Sequence, residues 1–162
     1  MNGRSSLGLA LGGVLFAGAF LGMGTVLGPS VAAQVKQAAA TKPHKVAIQV
    51  NQNEKGVMDL ALNNAKNIAD YYKAKGESVA IEIVAYGPGL HMLRSESPVK
   101  ERISVLSLEN PQLKFMACGN TQANMSKAEG KPVTLLSEAK VTPSGVVHLM
   151  ELQGQGYAYI RP

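Results

Sequence analysis

The chain has 162 residues, of which 46% are hydrophobic and 17% charged, with a formal net charge of +5. That length is room for one domain, and the composition excludes a disordered tail, a collagen-like repeat and a multi-span membrane protein. A single cysteine excludes a disulfide-stapled miniprotein.

The chain divides into two unlike segments. Residues 1–33 hold 8 of the 17 glycines and one charge, Arg4, whereas the other 129 residues carry 15 Lys/Arg against 11 Asp/Glu, a net +4. Met1-Asn2-Gly3-Arg4 is a short basic start, and Leu7 to Leu27 follows without a charge. Val31-Ala32-Ala33 then precedes Gln34. Small residues at the last and third-last positions suit a signal peptidase, so the pattern predicts a signal peptide over 1–33, cut at Ala33/Gln34. The apolar run of 21 residues also reaches the length that spans a bilayer. Gly8/Gly12 and Gly18/Gly22 are small-xxx-small pairs, so a retained membrane anchor is the alternative. Either way the domain is expected to be exported, with a periplasmic location and a membrane attachment only if the segment stays. Residues 34–43 read as a flexible leader.

His44 to Asn51 (HKVAIQVN) predicts a strand, and Asn51 to Gly56 a polar connection. Val57, Leu60, Ala61, Ala65, Ile68, Ala69 and Tyr72 form one stripe at helical spacing, predicting a helix over 57–75 that Gly76 ends. Ser78 to Tyr86 is apolar on both faces apart from Glu82, the mark of a strand inside a sheet covered on both sides. Gly87-Pro88-Gly89 breaks it. Short helices are expected over 90–94 and 98–108, the latter with Pro98 in its first turn and Pro111 beyond its end. Leu113 to Ala117 predicts a third strand, closed by Cys118-Gly119, and Asn120 or Thr121 can cap a helix to about Glu129 and Gly130. Pro132 to Val141 reads as a helical turn and a short strand around Ala139-Lys140-Val141. Thr142-Pro143-Ser144-Gly145 resembles a cap before a helix over 146–153, and Tyr157 to Ile160 predicts a last strand. Strands alternating with helices imply βαβ crossovers, hence an α/β doubly wound domain with a mostly parallel sheet of about five strands and helices on both faces. Periodicity does not give strand order.

In an open parallel sheet, ligands sit beyond the carboxyl ends of the strands. Three loops occupy that position: 51–56, 87–91 and 118–121. Cys118 ends a strand where Gly119-Asn120-Thr121 opens a helix, and backbone N–H groups at a helix N-terminus favour a thiolate. That suits a nucleophile or a sulfur carrier; the alternative is a cysteine packed as a small apolar side chain. An exported chain with one cysteine makes no internal disulfide. In the second loop, Gly87 and Gly89 allow close approach of a ligand or a neighbouring chain, and His91 is a candidate base or anion contact, or else a polar cap or packed ring. Arg94 could meet an anionic substrate, although Glu96 and Glu101 suggest a solvated network. Asn51 and Asn53 could line a pocket or simply shape a turn.

Other chemistries lack support. His44, His91 and His148 form no metal-ligand spacing with Cys118, so no metal is expected. G-x-G-x-x-G, a P-loop and a G-x-S-x-G elbow are absent, and no cofactor motif is visible. A net +4 spread over 129 residues with one Phe and no Trp is no nucleic-acid stripe. Asn124-Met125-Ser126 matches a glycosylation sequon without other support. The run Leu152-Gln153-Gly154-Gln155-Gly156-Tyr157-Ala158-Tyr159-Ile160-Arg161 reads as an edge strand or, given its tyrosines and arginine, as a subunit contact.

Phe115-Met116-Ala117-Cys118-Gly119-Asn120-Thr121, Ala85-Tyr86-Gly87-Pro88-Gly89, Pro143-Ser144-Gly145-Val146 and the C-terminal run from Leu152 to Ile160 together resemble the DsrE/DsrF-like family, in its exported single-domain bacterial branch. The resemblance covers residues 44–162. It implies a doubly wound α/β fold, homotrimers or hexamers, and sulfur relay, in which a cysteine after a central strand carries a persulfide. Cys118 holds the matching position. Gly119, Asn120, Thr121, Gly87, Gly89 and His91 stand as supporting or pocket residues. A sulfur donor or acceptor protein is the implied partner. A non-catalytic homo-oligomer that binds a small ligand or protein through the same cleft is the alternative.

Overall fold

A computed structural model of the protein describes residues 43–162. The expected signal peptide or anchor over 1–33, and all of the leader except Pro43, lie outside the described residues. The described part builds a five-stranded sheet, every pair parallel, from β1 (His44–Val50), β2 (Val79–Ala85), β3 (Leu113–Cys118), β4 (Ala139–Thr142) and β5 (Ala158–Ile160). Its order is β4-β3-β2-β1-β5. The helices are α1 (Lys55–Ala74), α2 (Lys100–Glu109), α3 (Gly119–Glu129) and α4 (Gly145–Gly154), with a 3-10 helix over Gly87–Leu93. Among these residues no helix is long and apolar enough to cross a membrane.

This order and right-handed crossovers together set which face each helix covers. From β1 to β4 the chain steps across the sheet in one direction, which puts the first connections on one face. It then returns through α4 to lie beside β1, which puts α4 on the other face. The two cores reflect this. Val46, Ile48 and Val50 of β1, Ile81, Ile83 and Ala85 of β2, and Leu113, Phe115 and Ala117 of β3 meet Met58, Ala61, Leu62 and Ala65 of α1 and Ile103 and Leu106 of α2. The opposite face holds only Ala47, Val84, Leu149 and Leu152 as buried apolar residues, flanked by Tyr86, Met116 and Tyr157. The apolar character of β2 on both faces matches its place between β1 and β3, with Glu82 the polar exception, buried on the α4 face.

Local boundaries differ from expectation for physical reasons. The helix α1 begins at Lys55, two residues early, where Lys55 Nζ pairs with Asp59 at 2.6 Å one turn on. The short helix expected over 90–94 is a 3-10 helix that starts at Gly87 with Pro88 in its first turn. Pro98 and Val99 stay in a turn closed by Val99 N–H donating to Ser97 Oγ, so α2 starts at Lys100. Between 132 and 138 no helix forms; Leu135 instead bridges Arg94 antiparallel, and β4 follows.

Candidate functional site

The parallel sheet brings the loops after β1, β2 and β3 to one edge, and three contacts tie them together. Tyr86 N–H donates to Val50 O at 3.1 Å. A Cβ on Gly89 would fall 2.2 Å from that same Val50 oxygen, so only glycine lets the second loop close on the first. Gly87, at φ +52°, donates its N–H to Thr121 Oγ1 at 3.0 Å, joining the second loop to the start of α3. The sheet thus places Gly87, Gly89, Cys118 and Thr121 in one connected edge.

Cys118 is the last residue of β3 and the N-cap of α3, 5% exposed. Its thiol sits below its ordinary value. Burial works against ionisation, but the Thr121 hydroxyl and the backbone N–H groups of Gly145, Thr121 and Asn120 favour the thiolate and outweigh it. Because Thr121 Oγ1 accepts from Gly87 N–H, its own proton is free to point at the sulfur. The Asn120 N–H is shared, since it also donates to Pro143 O at 3.1 Å. Gly119 begins α3 opposite β4, with Thr142 O 3.2 Å from where its Cβ would be, and the Asn120 side chain is exposed.

Gly145 is the residue that sequence reasoning missed. It is the first residue of α4, and a Cβ there would stand 3.0 Å from Tyr86 Cβ and 3.2 Å from Cys118 Cβ. Two helix N-termini therefore converge on one sulfur, and both favour negative charge. The Thr142-Pro143-Ser144-Gly145 signature marked the start of a helix; that its loop shares the edge with Cys118 follows only from β4 pairing β3, with Cys118 opposite Thr142. Ser144 makes no side-chain capping bond.

The remaining candidates fall elsewhere. His91 is half-buried on the 3-10 helix and makes no side-chain hydrogen bond or ion pair among the described residues. Arg94 is buried and committed internally: it forks onto Glu129 through Nη1 at 2.5 Å and Nη2 at 3.0 Å, with Glu96 beside its Nε. Asn51 is half-buried and Asn53 exposed. Among the described residues no group of three or more His, Cys, Asp or Glu side chains could hold a metal ion. Grooves of about 320, 380 and 430 Å³ are lined by residues of α1 and α2 and, for the first, the amino ends of β2 and β3; Cys118 lines none of these three.

The model of the DsrE/DsrF-like family matches residues 31–162. Among solved structures, a protein of unknown function from Methanobacterium thermoautotrophicum is 33% identical, with a TM-score of 0.62. The match covers 74% of this chain and 99% of that one. No curated protein matches.

Proposed function

The chain belongs to the DsrE/DsrF-like family, and from that premise we propose that it is an exported sulfur carrier working through Cys118. Membership points to a role related to sulfur relay. The observation that carries the finer reading is the environment of Cys118, a thiol held below its ordinary value at the junction of two helix N-termini. The Cys118 thiolate attacks the outer sulfur of a donor such as a persulfide or thiosulfate. A new S–S bond forms, the donor's S–S bond breaks, and a thiolate or sulfite leaves with the electron pair. An acceptor thiolate then attacks the outer sulfur of the Cys118 persulfide, and Cys118 leaves as thiolate. No net oxidation occurs, so no further oxidant is required. The N–H groups of Gly145 and Thr121 stabilise the anionic sulfur in both halves of the cycle. The charge-free run over 7–27 supports delivery outside the cytoplasm.

Intact mass of the protein after incubation with thiosulfate or polysulfide tests the reading. The expected gain is one sulfur atom, removed by reductant and absent in Cys118→Ser. No adduct with any donor would overturn it.

The 5% exposure of Cys118 favours a second reading, a non-catalytic homo-oligomer that binds a ligand or partner at the same edge. On that reading Cys118→Ser keeps function. Self-association is part of both readings and is supported by exposed Val141, Val146, Val147 and Met150.

A further inference from the structure

The helix α4 lies on the sheet in an unusual way. Gly145, His148, Leu149 and Leu152 recur at helical spacing and form its sheet-facing stripe, while Val146, Val147 and Met150 point outward and are about half to two-thirds exposed. Leu149 and Leu152 are its buried apolar residues against the sheet, packed with Ala47 and Val84 and flanked by Tyr86, Met116 and Tyr157. Between Gly145 and Leu149 the stripe also carries a polar contact with the sheet, through His148. His148 Nε2 meets Glu82 Oε2 at 2.7 Å. The other oxygen of Glu82 accepts from Lys114 Nζ at 3.0 Å. The Glu82 side chain is 6% exposed and that of His148 18%. On its other side, His148 Nδ1 stands 3.9 Å from Glu151 Oε2 on the same helix.

This cluster is linked to Cys118 along two elements. His148 follows Gly145 by three residues, about one helical turn, and Gly145 packs against Cys118, its Cβ position 3.2 Å from Cys118 Cβ, with its N–H favouring the thiolate. Lys114 lies four residues before Cys118 on the same face of β3, with Glu82 its register partner on β2. The first backbone bond of α4, His148 N–H to Ser144 O at 2.9 Å, runs from this same residue to the loop at the sulfur.

We propose that Glu82 and His148 are a positioning pair for Cys118: their contact seats the first turn of α4 so that the Gly145 N–H meets the sulfur. The inference rests on the thiolate reading of Cys118 given above. Neither residue touches the reacting atoms. Gly145 has no side chain to anchor it, and Ser144 makes no side-chain capping bond. With the pair removed, α4 keeps Leu149, Leu152 and the contact of Gly145 with Tyr86, but its first turn loses its polar side-chain tie to the sheet, and the Gly145 N–H shifts against the sulfur.

The test is the pH profile of Cys118 alkylation by iodoacetamide, measured on folded protein as checked by circular dichroism. The wild type is expected to react with a midpoint below that of an ordinary thiol. His148→Ala should raise that midpoint by about one unit, a tenfold change in the ionisation equilibrium, and His148→Gln, which keeps a donor for Glu82, should restore most of it. The double variant Glu82→Met/His148→Leu replaces both buried members of the contact by apolar groups of similar volume, a change that often preserves stability, leaves the half-exposed Lys114 to solvent, and so carries the test if His148→Ala does not fold. It removes a carboxylate, which alone would lower the thiol midpoint, so a rise in this variant reports lost positioning. A midpoint unmoved in a folded variant overturns the positioning role while leaving the thiolate reading intact. A wild-type midpoint at the ordinary value overturns the thiolate reading itself, and this inference with it.

Discussion

At the scale of single residues, the proposed site is built where small groups meet. Cys118 has Gly119 after it and Gly145 against it, where an added Cβ would stand 3.2 Å from Cys118 Cβ and 3.0 Å from Tyr86 Cβ. The depressed thiol has a measurable thermodynamic consequence. A group whose acid form ionises more readily in the fold stabilises the fold once it is charged. Relative to Cys118→Ser, the wild type should therefore show no thiol contribution below the folded-state midpoint. It should gain stability as pH rises through that midpoint and level off above the ordinary value of 9.0. Urea midpoints for the two proteins across neutral to alkaline pH check this, and the opposite slope would mean that the fold holds the thiol neutral. Cys118 and its strand-to-helix setting were legible in the sequence because Phe115 to Thr121 carries both the strand and its breaker. Gly145 was not legible as a site residue, because 27 positions separate it from Cys118 and only the β3–β4 pairing closes that distance.

At the scale of elements, α4 is the exposed point of the design. The opposite face of the sheet has α1, α2 and the 3-10 helix over a continuous apolar core, whereas α4 alone covers its face with two buried leucines. Removing one of these should be costly because little else holds the helix. Leu152→Ala is expected to destabilise the fold by about 3 kcal/mol, in the usual range for a buried leucine, as read by chemical denaturation. A loss under about 1 kcal/mol would mean that the site collapses around the smaller side chain. The sequence marked this helix through Thr142-Pro143-Ser144-Gly145, but its orientation was hidden. Val146, Val147 and Met150 are apolar yet outward, and His148 is titratable yet inward, the reverse of what hydrophobic patterning assigns to a surface helix. The reason is Glu82: a buried carboxylate on β2 needs a partner on that face, and His148 supplies one.

At the scale of the whole molecule, the asymmetry of the two faces carries a consequence for assembly. Val146, Val147 and Met150 on α4 and Tyr159 on β5, which shares the α4 face with Ala47, are 41–66% exposed. Large exposed apolar side chains brought together on one side of a domain favour contact with another surface. Self-association through this side predicts that Met150→Glu or Val146→Glu shifts the protein toward monomer in light scattering with unchanged circular dichroism; an unaltered mass would place the contact elsewhere. The α/β class, the parallel sheet and the helix breaks were determined by the sequence alone, because they depend on short-range properties: apolar runs, helical stripes, and Gly and Pro at their ends. The strand order β4-β3-β2-β1-β5 was not, because periodicity records which face of a strand is buried and not which strand lies beside it. Only the tertiary structure could bring Gly145 to Cys118 and His148 to Glu82, since each pairing depends on a crossover that returns α4 across the far face of the sheet.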